Sequence, residues 1–257
     1  MAYTPYYSMI SQGQRSNVRA WLNDVPFHRS YDPHTLNNTS PAIHLLQPGE
    51  NTFAIEIDRA PEGSVTFFEL LIDWDHDHPV YRFEWPREAM ALPEDRRVPF
   101  RHLARFTPPG ELFRPAHLDA PEAEIPCEGT PDLREAVRRV QAALEARDLD
   151  AYCAELAFKA SELERAYPGW PMSTAADMRA DTAGFLRMDL RVRPLDLGDV
   201  HFEGRAGGRL VHATRATEGG GTLLDAIAMD RTADGEGARL SMDLTFTRHR
   251  GEWKIVF

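Results

Sequence analysis

Apolar residues recur with two different periods, and the period changes near residue 130. Across residues 1–100, short apolar runs are separated by clusters of proline, glycine and asparagine, the punctuation of a β domain. Residues 16–21 predict one strand with Asn23-Asp24-Val25-Pro26 as its turn, and residues 42–46 predict a second. Gln47-Pro48-Gly49-Glu50-Asn51 is a strong turn signal, after which residues 52–57 alternate so that Phe53, Ile55 and Ile57 share one face. Residues 65–74 are almost continuously apolar, as in a strand buried on both sides, and residues 80–85 alternate again. Strands at this spacing predict an antiparallel β-sandwich.

From residue 92 to 129 the sequence is crowded with prolines: Pro93, Pro99, Pro108, Pro109, Pro115, Pro121 and Pro126. Each removes a backbone donor and restricts its neighbour, so residues 101–129 read as an extended connector with the domain boundary near its end. Thr130 then suits an N-cap and Pro131 the first helical position, with Leu133, Ala136, Val137, Val140, Ala143 and Leu144 on one helical stripe. Asp148 can cap a second helix that turns Leu149, Tyr152, Cys153, Leu156, Ala160 and Leu163 inward and ends at Pro168-Gly169, and a third helix is predicted over residues 173–183. The remainder predicts strands at 186–192, 200–203, 209–217, 222–230, 238–248 and 253–257, joined by glycine-rich hairpin turns. The predicted class is α+β: an antiparallel β-sandwich over 1–100, a connector over 101–129, and over 130–257 helices packed on a curved antiparallel sheet.

Two resemblances sharpen this expectation. Trp21-Leu22-Asn23-Asp24-Val25-Pro26 followed by Leu46-Gln47-Pro48-Gly49-Glu50-Asn51-Thr52-Phe53 resembles the phrasing of jelly-roll domains related to carbohydrate-binding modules. In the C-terminal half, Ala143-Leu144-Glu145-Ala146-Arg147-Asp148-Leu149-Asp150-Ala151-Tyr152, read with Gly251-Glu252-Trp253-Lys254-Ile255, resembles the cone-shaped fold shared by nuclear transport factor and ketosteroid isomerase. That resemblance implies the fold. It implies little about function, because isomerases, dehydratases, scaffolds and carriers share the cone.

Composition narrows the classes. The chain is 42% hydrophobic and 27% charged, an ordinary globular balance, with a formal net charge of −11. Such a field repels a phosphate backbone and argues against nucleic acid, and a basic protein partner fits it better. No window approaches the ~18 uninterrupted apolar residues of a membrane helix. Residues 1–10 lack a basic region followed by an apolar stretch, so a cytoplasmic location without membrane attachment is expected. Cys127 and Cys153 are the only cysteines and belong to no paired metal motif, so reduced thiols are expected.

The densest polar cluster is Asp73, Asp75, His76, Asp77 and His78, a mixed carboxylate and imidazole set that suits zinc, manganese or iron. On a continuing strand the aspartates and histidines would face opposite sides, so one metal could use only part of the set. In a cone, catalysis would fall to polar groups interrupting apolar strands: Asp189, His201, His212, Asp225 and Asp243, with Tyr152 on the second helix as oxyanion donor. The glycine-rich runs lead into strands rather than helices, so they read as hairpins and not as phosphate cradles, and no cofactor is expected.

Three functions compete. The leading one is a non-catalytic binding protein for a protein or small ligand, in specific form an immunity or adaptor protein of a bacterial toxin or secretion system, with pairing of two copies through the C-terminal sheet as a further option. The second is an isomerase or dehydratase with its pocket in the cone. The third is a carbohydrate-binding sandwich, which would show Trp21, Trp74 or Trp85 exposed on one face.

Overall fold

The computed structural model describes residues 6–14, 16–30, 36–60, 64–72, 79–85, 98–168, 174–215, 223–229 and 237–257. Over these residues the protein is α+β and forms two compact units, Met1–Pro115 and Ala116–Phe257.

The N-terminal unit contains β1 (Tyr7–Gln14), β2 (Asn17–Leu22), β3 (Val25–Ser30), β4 (Leu36–Pro41), β5 (Asn51–Arg59), β6 (Val65–Ile72), β7 (Pro79–Trp85) and β8 (Phe100–Phe106). They make two antiparallel sheets, ordered β4-β1-β6-β7 and β3-β2-β5-β8. The sheets face each other through aromatic side chains. Phe53 of β5 stacks on Phe68 of β6 at 4.6 Å between centroids and lies 5.5 Å from Phe83 of β7. Phe53, Ile55 and Ile57 share the buried face as the alternation predicts.

Two expectations give way here. Residues 42–46 form no strand: Ile43–Leu45 is a single 3-10 turn, with Ile43, Leu45 and Leu46 all buried where a strand would turn alternate residues out. Residues 101–106, assigned to the connector on proline density, lie in β8, where Phe100, His102, Ala104 and Phe106 pair against β5.

The turn that resembled jelly-roll phrasing has a specific polar lock. Asn23 and Asp24 take positive φ of 52° and 63°, the left-handed geometry of a tight hairpin turn. Asn23 Nδ2 donates to Leu45 O at 2.9 Å and to Asn51 Oδ1 at 2.6 Å, while Asn23 Oδ1 accepts from Thr52 N at 2.8 Å. Asn51 in turn donates to Gln47 O and Gly49 O and accepts from Gln47 N. Both asparagines are buried, and these bonds meet the requirement that buried amides be paired.

The C-terminal unit begins with α1 (Pro131–Glu145), α2 (Leu149–Ala166) and α3 (Ala175–Arg187). There follow β9 (Asp189–Val192), β10 (Val200–Arg205), β11 (Leu210–Arg215), β12 (Leu224–Met229), β13 (Gly237–Met242), β14 (Leu244–His249) and β15 (Glu252–Ile255). Asp148 caps α2 by accepting from Ala151 N at 3.0 Å. Thr130 has extended cap geometry, but its hydroxyl donates to Asp132 and accepts from no helix N–H. The strip Leu133, Val137, Val140 and Leu144 packs into one core with Phe202, Val211, Leu244, Phe246, Trp253 and Ile255.

The strands form two antiparallel ladders, β10-β11-β14-β15 and β13-β12-β9, where one curved sheet was expected. The continuous strand predicted over 238–248 breaks at Asp243, so β13 and β14 serve different ladders. Leu186 belongs to the last turn of α3 rather than to a strand. Phe257, within the strand predicted over 253–257, lies beyond the end of β15 and meets the His117 ring edge-on at 5.9 Å.

Residues 116–129 pack on this unit. Ala123 N donates to Gly207 O at 3.2 Å and Phe202 N donates to Cys127 O at 2.8 Å. Gly208, at φ 78°, lets this segment approach so closely that a Cβ there would sit 1.7 Å from Ala123 O. The run Gly204-Arg205-Ala206-Gly207-Gly208 is therefore a hairpin turn that also seats a neighbouring backbone.

Candidate functional site

Strand alternation sorts the polar candidates of the C-terminal unit onto two faces. On β11, Val211 and Ala213 enter the core under the helices, which turns His212 to the other side. On β14, Leu244 and Phe246 enter the same core, which turns Thr245 and the preceding Asp243 away from it, and His212 pairs in register with Thr245. His212 Nδ1 lies 3.1 Å from Thr245 Oγ1, and His212 Nε2 lies 3.9 Å from Asp243 Oδ2. Asp243 Oδ1 accepts from Leu223 N at 2.8 Å, which ties the start of β12 to the break between β13 and β14. His212 is 8% exposed and Thr245 2%, so the group is a buried polar cluster on the face opposite the helices.

Tyr152 lies on the other side. It is 4% exposed within the apolar core, and its hydroxyl donates to Met242 Sδ at 3.5 Å. Burial, with a smaller contribution from Cys153, pushes its pKa up to about 12, so it stays a neutral donor. Asp189 opens β9 half-buried, with Arg147 Nη2 3.8 Å from its carboxylate. His201 on β10 is exposed. Asp225 stands on β12 opposite Ser241. The structure thus brings His212 and Asp243 together, with the exposed His201 on the same face, two residues along β10 from Glu203, the cross-strand neighbour of His212, and leaves Tyr152 on the helix side. A cone isomerase needs its base and oxyanion donor to converge on one cavity between helices and sheet.

The other candidates sort more simply. Asp73, Trp74, Asp75, His76, Asp77 and His78 lie outside the described residues, and no cluster of metal-ligating side chains occurs among the described ones. Trp21 and Trp85 are buried rather than exposed, so neither offers the open aromatic platform of a sugar site. Cys127 and Cys153 are free thiols. Among the described residues no helix is long and apolar enough to cross a membrane.

Two features escape the sequence reading. Lys159, one of two lysines in the chain, sits half-buried on α2, and desolvation holds its ammonium below the usual lysine range. Its acidic neighbours along the helix are engaged elsewhere, Glu155 with Arg139 at 2.7 Å and Glu162 with Ala116 N at 2.8 Å. The signal was a lone lysine beside the apolar positions Leu156, Ala160 and Leu163. The second feature is Leu103, 64% exposed at the middle of β8. Alternation would have found it had residues 101–106 been read as a strand. Comparisons of the chain with protein families, with curated proteins and with solved structures find no match.

Proposed function

We propose that the chain is a non-catalytic intracellular binding protein, in which a β-sandwich and a cone of the nuclear transport factor and ketosteroid isomerase kind serve as recognition scaffolds. The observation that carries this reading is the division of polar groups across the C-terminal sheet. The helix side is packed with Leu133, Val137, Val140, Leu144, Phe202 and Phe246, and Tyr152 directs its hydroxyl to a thioether. His212 and Asp243 lie behind the sheet, bonded to Thr245 and to the Leu223 amide. An enzyme would place such groups where substrate can reach them both. The net charge of −11 favours a basic partner, as expected of an adaptor or of an immunity protein for a toxin or secretion system.

The competing class is an isomerase or dehydratase acting through Tyr152, and one experiment sets the two against each other. Full-length protein is incubated with enolisable cyclic ketones in D2O, and exchange at the α-carbon is followed by NMR. In parallel the wild-type chain and Tyr152→Phe are used to capture a partner protein from cells that express them. The binding reading expects buffer-level exchange and the same salt-sensitive stoichiometric complex with both chains. Exchange catalysed by the wild type and lost in Tyr152→Phe would overturn it.

A further inference from the structure

The face of the β3-β2-β5-β8 sheet that points away from the sandwich core ends in a strip where an exposed leucine stands between two exposed arginines. Phe100, His102, Ala104 and Phe106 of β8 face inward, so Arg101, Leu103 and Arg105 face out. Leu103 is 64% exposed, and the flanking arginine side chains are 76% and 66% exposed. Among the described residues β8 pairs only with β5, so its other edge presents backbone donors and acceptors.

We propose that this edge docks an extended segment of a partner protein that carries an apolar residue between two carboxylates, each two residues away from it. A strand added to an edge places every second side chain beside every second side chain of its neighbour. The segment's central apolar residue then covers Leu103 while its two carboxylates meet Arg101 and Arg105. Both arginines have intramolecular partners, Glu56 Oε1 at 3.3 Å and Glu50 Oε1 at 3.0 Å. These are exposed ion pairs, which contribute little and exchange readily for a partner's carboxylate. A second copy of the chain fits the strip poorly. Antiparallel pairing of two β8 strands about Leu103 sets Arg101 of one copy against Arg105 of the other, and like charges directly opposite repel. The chain's overall negative field disfavours a partner that is acidic throughout, so the acidic character is confined to the docking segment.

This inference rests on the binding-protein reading and specifies its partner's chemistry. The test uses two labelled, end-blocked seven-residue peptides in which threonine alternates with glutamate, valine and glutamate, or with lysine, valine and lysine. Fluorescence anisotropy with the full-length chain is expected to show the acidic peptide binding at least about tenfold tighter than the lysine peptide. The R101E/R105E variant is expected to reverse that order, and Leu103→Ser to weaken the acidic peptide while leaving the order intact. Circular dichroism confirms that each variant keeps its fold. Equal binding of both peptides, or a preference unchanged by R101E/R105E, overturns the docking edge. The two readings fail separately: a captured partner protein that stays with R101E/R105E sinks this edge and spares the binding function, whereas Tyr152-dependent ketone exchange sinks the function itself.

Discussion

In the N-terminal unit, Asn23 and Asn51 are buried and satisfy each other and the turn carbonyls around them. In the C-terminal unit the Gly207-Gly208 turn seats the backbone of the Ala123 segment where a side chain would be, with Arg209 pairing to Glu122 at 2.9 Å and Thr247 donating to Arg209 O at 2.8 Å beside it. The first turn is built around buried side-chain amides, and the second around the absence of a Cβ beside a neighbouring backbone. The same contrast extends to the cores. The first is closed by aromatic rings between two sheets, the second by a helical stripe against a strand face. Loss of one amide should therefore be felt at the first turn, and a change of volume or of φ at the second.

The largest effect is expected at Trp253, which is 5% exposed between Arg248 and the helix-facing core. Trp253→Ala should destabilise the C-terminal unit by about 3–5 kcal/mol in urea denaturation. A loss under about 1 kcal/mol would show that the aliphatic stripe holds the unit without it.

Asn51→Ala should cost the N-terminal unit about 2–3 kcal/mol, because Asn23 Nδ2 and Gln47 N lose an acceptor in a buried turn. The same measurement on Asn51→Asp separates the contributions, since the acid keeps the acceptor and loses the two bonds donated to Gln47 O and Gly49 O. Equal stability of Asn51→Ala and wild type would remove the asparagine lock from the account.

Glycines give the converse comparison. Gly208→Ala meets both a positive φ of 78° and the Ala123 carbonyl, and should cost about 2 kcal/mol or more. Gly49→Ala has φ 85° with open space around the added Cβ, and should cost only about 1 kcal/mol. Thermal melts that rank these two the other way would contradict the seating of residues 116–129 on the β10–β11 turn.

Acid should act on both units alike. Burial pushes His28 in the first and His117 in the second down from 6.5 to about 4, with Arg209 adding to the effect at His117. Each folded-state value lies below the unfolded one, so the unfolded chain takes up the proton first. This contribution is complete above pH 6.5 and is lost as pH falls from there towards 4, reaching about 2 kcal/mol per histidine at pH 5. Among the described residues His28 contacts Ser11, 3.0 Å from Nδ1. His28→Gln should flatten the pH dependence of the N-terminal unit and leave that of the C-terminal unit unchanged, measured by denaturation between pH 7.5 and 4.5.

The helices of the C-terminal unit were legible because a stripe of six apolar residues at helical spacing and the Asp148 cap point to one answer. The strands Phe53 to Ile57 were legible by the same logic at period two. What escaped was structure specified by small or polar residues: β1 turns Met9, Ser11 and Gly13 to one face, too mixed a pattern to read as buried. β8 was hidden by surrounding prolines, which carry information about a segment's flanks and none about the alternation inside it. The break at Asp243 was invisible because residues 238–248 alternate plausibly throughout, whereas the partners of Asp243, the Leu223 amide and His212, are distant in sequence. The candidate site was legible as a set of residue types. Its division was not, because the face a strand residue takes depends on the register of its neighbours.

That division is the claim on which the binding reading stands, and a double-mutant cycle tests it directly. Tyr152→Phe, His212→Gln and the pair are made in the full-length chain, and their stabilities are measured by urea denaturation. Groups on opposite faces of a sheet should be additive, with a coupling below about 0.5 kcal/mol. A coupling above about 1 kcal/mol would mean that Tyr152 and His212 share one network, and the C-terminal unit would then hold the assembled acid–base site that this account denies it.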